Sequence, residues 1–137
     1  MITLLTGKKG SGKTKRLIEA TNAAVEASKG NVVVIAKGTN LTYDITSQAR
    51  LINIENYGVA GVEAMTGFVK GICAGNYDVT DILIDSTLKI IGTDLAALEA
   101  MVQTLEVLAE KANVKIVLSV SAADDDIPAA IAQYIAK

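Results

Sequence analysis

The chain has 137 residues, of which 50% are hydrophobic and 20% charged, with a net charge of −2. That is the length of one domain with apolar content enough for a core, which excludes a disordered chain or a second globular unit. There is no histidine and a single cysteine, Cys73, which excludes His-ligated zinc, an imidazole base, intramolecular disulfides and all-Cys metal clusters.

The chain lacks Trp and has one Phe, so it offers no stacking platform for single strands, and its near-zero charge gives no global basic field for nucleic acid. Met1 runs straight into Ile2–Thr6 without a basic leader, and no apolar run reaches the roughly 20 residues of a membrane span. The expectation is a single cytoplasmic, reduced domain over residues 1–137. Charge is uneven: residues 1–50 carry eight basic and three acidic groups, and five of the basic ones fall between Lys8 and Arg16. Basic residues crowded beside glycines suit a small anion better than a polymer.

Ile2–Thr6 reads as a buried strand ended by Gly7, and Gly7–Thr14 as a glycine-rich loop. From Lys13 to about Ser28, Leu17, Ile18, Thr21, Ala24 and Val25 recur at helical spacing, with Gly30 placed for a C-terminal cap. Asn31–Lys37 holds a β-branched run apolar on both faces, as in a buried parallel strand. Residues 38–49 read as a polar, unpatterned loop, and Arg50–Glu55 alternates as a further strand. Val59–Ala74 is predicted as a helix, with Gly67, Gly71 and Gly75 spaced for close approach to a neighbour. Thr80–Asp85 is a strand ending in an acid, and Ser86–Thr93 a connection. Thr93 or Asp94 is placed to cap a helix reaching about Ala112, striped by Leu95, Leu98, Val102, Leu105 and Ala109. Lys115–Val120 is a fifth strand, and a short helix opening at Asp124 presents Ile127, Ile131 and Ile135 on one face. Strands apolar on both sides, alternating with helices, predict an α/β three-layer sandwich with a mainly parallel sheet of about five strands.

Gly7-Lys8-Lys9-Gly10-Ser11-Gly12-Lys13-Thr14 matches G-x-x-x-x-G-K-[ST] at every fixed position, between an apolar strand and an amphipathic helix. The spacing follows from the chemistry of a polyphosphate, which needs many donors converging on a small volume. Glycines let successive backbone N–H groups point inward, and the next helix turns its positive end to the same anion. Lys13 would reach the β- and γ-phosphates, and the Thr14 hydroxyl a Mg²⁺ ion.

These residues resemble the P-loop NTPase superfamily: Gly7–Thr14 resembles its Walker A motif, and Asp81-Ile82-Leu83-Ile84-Asp85 its Walker B motif. The resemblance implies a P-loop fold, ATP with Mg²⁺ as ligands, and Mg²⁺ held at Asp85 and Thr14. The strand ending Ile84-Asp85-Ser86 resembles that of RecA-like ATPases, and the element order also resembles the thymidine kinase core. Both resemblances are partial. Ser86 stands where many relatives have a water-activating Glu, the second strand ends Ala36-Lys37-Gly38 without an acid, and one Cys cannot build the kinases' zinc ribbon. Neither N-K-x-D nor an LSGGQ-like signature occurs, so guanine recognition and an ABC transporter ATPase are not expected.

Further candidates divide between a role and a bland reading. Glu55 would emerge at the ligand edge if its strand is parallel to the first, as a possible catalytic base or as an exposed strand-end acid. Ser119 and Ser121 either sense a phosphate or cap a loop. Arg50 reads as a surface residue, and in an assembly would be available as an arginine finger in trans. Asp124–Asp126 suggests a cation site but reads more simply as a solvated run at a helix start, and Cys73 as a core residue. The expected function is Mg²⁺-dependent binding of a nucleoside triphosphate, ATP first, with slow hydrolysis. The alternatives are a non-hydrolytic module whose nucleotide orders a surface for a protein partner, and a reduced nucleotide or nucleoside kinase.

Overall fold

The structure, a computed structural model, describes Met1–Lys137. Five strands form one all-parallel sheet: β1 (Ile2–Gly7), β2 (Asn31–Ala36), β3 (Arg50–Asn53), β4 (Val79–Ile84) and β5 (Lys115–Ser121), in the order β1-β5-β4-β2-β3. Helices α1 (Lys13–Ala27), α2 (Val62–Gly75), α3 (Thr87–Ile91) and α4 (Leu95–Ala112) connect them. No helix is long and apolar enough to cross a membrane.

Side chains alternate faces along a strand, so an apolar run feeds two cores. Val33, Ile35, Ile82, Ile84, Ile116 and Leu118 join the larger core, closed by Met65 and Val69 of α2, Ile90 of α3, and Leu98, Met101 and Leu105 of α4. Val32, Val34 and Leu83 join the smaller core under Leu17 of α1. The result is the three-layer α/β arrangement that the two-sided apolar strands imply.

Several local expectations need correction. Residues 38–49 form turns as expected, but Leu41, Ile45 and Ala49 are buried and extend the α1 layer over β2 and β3. The third strand stops at Asn53, and Ile54–Tyr57 is a 3₁₀ turn. The Asn53 side chain accepts from the Glu55 N–H at 3.1 Å and the Gly38 N–H at 2.9 Å, a local alternative to the strand ladder. Helix α2 begins at Val62 rather than Val59, because Gly61 has φ 90° and donates its N–H to Ile90 O. Gly67, Gly71 and Gly75 face open space, so their spacing serves no close helix contact within the chain.

Ser86–Thr93 is not simply a connection, since it contains α3. Gly30 is not a left-handed cap; α1 is capped at Ser28, and the Asp78 carbonyl occupies the space a Gly30 Cβ would need. The last segment is two 3₁₀ turns, Asp124–Asp126 and Ala129–Tyr134, with Pro128 between them. Ile127 and Ile131 are buried, while Ile135 bridges Leu4 on the free side of β1. Asp94 caps α4 by accepting from the Ala96 N–H at 2.9 Å.

Candidate functional site

The C-terminal ends of β1, β5 and β4 lie side by side, and the loops that leave them share one edge of the sheet. The glycine-rich loop leaves β1. Gly7 (φ 137°), Gly10 (φ 86°) and Gly12 (φ 88°) occupy left-handed backbone that side chains disfavour. At Gly7 a Cβ would also collide with the Ser11 side chain. Lys8, Lys9, Gly10, Ser11, Gly12 and Thr14 are exposed, and Lys13 is the buried member at 8% exposure.

The Lys13 ammonium donates to Lys8 O at 2.9 Å and to Ser11 Oγ at 3.4 Å. Burial pushes its pKa below the usual lysine value, and the nearby Asp85 carboxylate partly offsets that shift. Lys13 and Asp85, 72 positions apart in sequence, therefore face one site. Asp85 follows the last residue of β4 and donates its N–H to Ile35 O at 2.8 Å.

Its carboxylate is held on both oxygens: Ser119 Oγ donates to Oδ1 at 3.3 Å, and Ser86 Oγ to Oδ2 at 3.1 Å. The Ser86 N–H in turn donates to Ser119 Oγ at 2.7 Å. Ser86 adopts φ 52°, a conformation rare outside glycine. Ser119, at 2% exposure, thus fixes the carboxylate from the neighbouring strand.

Between the loop and α3 lies a cavity of about 640 Å³. It is lined by Lys9, Lys13 and Thr14 of the loop and α1, by Ser86, Lys89 and Thr93 around α3, and by Ser119 and Ser121 of β5, with Leu88 its one hydrophobic residue. A larger groove of about 950 Å³ lies elsewhere, between the end of α1 and Lys115 at the start of β5, at the opposite edge of the sheet. Its walls set Lys29 and Lys115 against Asp81 and Glu110, whereas the smaller cavity is lined by three lysines and no acid, so the smaller one is the better site for an anion.

The hard oxygen donors Thr14 and Asp85 suit Mg²⁺, which binds through few protein oxygens and keeps waters and phosphate oxygens as its other ligands. Asp85 is oriented by two serines, the outer support a metal-facing carboxylate needs.

The other candidates lie apart. Glu55 does emerge at the carboxyl edge of a parallel strand, but β3 is the far strand of the sheet. Four strand spacings, about 19 Å, separate β3 from β1, and Glu55 lies beside Gly38 rather than in the cavity wall. Arg50 opens β3 at the amino edge, away from the loop. Asp124 receives a hydrogen bond from Thr6 Oγ1, and Asp125 and Asp126 are exposed. Cys73 is half-buried against the larger core, and burial raises its pKa.

Sequence reasoning missed Lys89 and Thr93, which no motif marks; the available signal was a cation four positions after a strand-end acid. Comparison with protein-family models and with curated proteins finds no match to this chain.

Proposed function

We propose that the chain is a P-loop NTPase-like protein that binds Mg²⁺ and a nucleoside triphosphate, ATP first, at the Gly7–Thr14 loop. The observation that carries this reading is a polar cavity beside a loop of left-handed glycines, lined by Lys13, Thr14, Ser86 and Ser119, with the Asp85 carboxylate held behind it by the two serines.

The loop N–H groups and the first turn of α1 favour anionic oxygens. Lys13 exchanges its bond to Lys8 O for the β- and γ-phosphates, which supply the negative charge its buried ammonium lacks. Thr14 and Asp85 would hold the metal, with Ser119 fixing the Asp85 carboxylate. Bound Mg²⁺ would neutralise negative charge on the phosphates. Ser86 and Ser119 are neutral and serve as orienting donors rather than bases.

Hydrolysis by the isolated chain is accordingly slow. A non-hydrolytic binding module shares the same geometry, and so does a reduced kinase, whose acceptor would occupy the space beside Lys89 and Thr93. Titration with Mg·ATP followed by a phosphate-release assay tests the reading. Saturable binding with slow release supports it; failure to bind any nucleoside triphosphate with Mg²⁺ refutes it. Screening nucleosides as acceptors separates the kinase.

A further inference from the structure

We propose that the outer edge of β3 is a self-association surface, where a second copy of this chain adds its own β3 antiparallel across a two-fold axis. β3 ends the sheet, so its outer backbone groups have no strand partner, and such a row is a template for another strand. The edge is flat in register: Val33↔Arg50 to Ala36↔Asn53 runs without a bulge.

Beside this edge runs a groove of about 710 Å³, with Ile52, Tyr57, Phe68 and Ile72 in its wall. Tyr57 is 56% exposed although its ring lies 5.9 Å from that of Phe68. An exposed aromatic over an apolar wall is the composition of an interface core.

Charge selects the occupant. Exposed Arg50 stands at one end of β3, and exposed Glu55 just past the other. Antiparallel pairing about an axis through Ile52, which keeps opposed residues on one face, sets each Arg50 level with the other copy's Ile54 and so beside its Glu55, twice over, whereas a parallel partner would set Arg50 beside Arg50. A surface whose two ends complement each other under a two-fold rotation is the signature of an isologous dimer. A four-residue edge with one groove is a small interface, so the dimer is reversible and depends on concentration and salt.

The test is sedimentation velocity of the full chain over a wide concentration range at low salt, with Arg50→Glu, Glu55→Arg, their equimolar mixture and the double variant. Both positions are exposed, and circular dichroism verifies that each variant is folded. The wild-type chain should dimerise and each single variant should remain monomeric where the wild type is half dimeric. The mixture should recover the dimer, because each end then joins unlike charges, and so should the double variant. Hydrogen exchange at Arg50–Asn53 should slow on dimerisation. A wild-type chain that stays monomeric overturns the proposal and leaves the edge to an extended segment of another protein; single variants that dimerise like the wild type overturn the two-fold geometry.

Discussion

Replacing Lys13 with Met keeps most of the buried stem and removes the ammonium. In the folded chain Lys13 is 8% exposed, and its ammonium rests on Lys8 O and Ser11 Oγ and has its pKa lowered by burial. Its two partners lie in the exposed loop and can turn to water, so Lys13→Met leaves the ligand-free melting temperature unchanged or slightly raised. The effect falls on binding. A charge-assisted hydrogen bond contributes about 1.5–3 kcal/mol, so the dissociation constant for Mg·ATP should rise about 10- to 150-fold. At ligand 100 times the wild-type constant, linkage stabilises the fold by about 2.7 kcal/mol. With an unfolding entropy of about 2 cal/mol/K per residue, a domain of this length melts roughly 9 °C higher. A 30-fold weaker variant keeps about 0.9 kcal/mol of that stabilisation, a rise of roughly 3 °C. Differential scanning calorimetry at fixed Mg·ATP reads both shifts. An equal shift in Lys13→Met refutes the assignment of Lys13 to the phosphates; a large fall in the ligand-free melting temperature refutes the reasoning about its burial.

The cavity has one hydrophobic wall and no aromatic residue, so ATP and GTP affinities measured by calorimetry should agree within about tenfold; a hundredfold preference would reveal a base pocket elsewhere. Steady-state turnover of the monomer should stay well below the roughly 10 s⁻¹ median of enzymes, and Glu55→Gln should leave it unchanged, because Glu55 lies on the far strand. A faster rate, or one lost with Glu55, contradicts the placement of the chemistry. Because the folded pKa of Lys13 lies below 10.5, the unfolded chain binds more protons between those two values. The stability cost of the buried charge is therefore present at neutral pH and relieved as pH rises toward 10.5. Urea midpoints of wild type minus Lys13→Met should thus move in favour of the wild type from pH 7 to pH 10, and a difference that is flat or opposite in sign refutes the cause of the shift.

The strands were legible because β2, β4 and β5 are apolar on both faces, a pattern only a covered sheet explains. The loop was legible for a different reason: its glycines stand where the chain turns tightly between a strand and a helix, and Gly7, Gly10 and Gly12 take left-handed backbone. What escaped was set by short-range competition or by strand order. Helix α3 is five residues long, too short to show a period. The end of β3 turns on hydrogen bonds to one side chain, that of Asn53. Leu41, Ile45 and Ala49 sit among polar neighbours, so their burial in the second core left no run to recognise. Glu55 lies at the carboxyl edge because β3 is parallel to its neighbours, the condition its placement depended on, but its distance from the loop follows from β3 being outermost, which no local pattern encodes. The clasp of Ser119 and Ser86 on Asp85 joins two strands for the same reason.

The most direct test is isothermal titration of the purified chain with ATP, in Mg²⁺ and again with the metal chelated, alongside Asp85→Asn. The expected result is one site per chain in Mg²⁺, with affinity reduced on chelation. Asp85→Asn should lose most of that metal dependence while keeping the residual affinity of the loop and Lys13. No saturable heat with wild type at millimolar Mg·ATP, or binding of equal strength with and without the metal, would contradict the assignment of Gly7–Thr14 and Asp85 to a magnesium triphosphate.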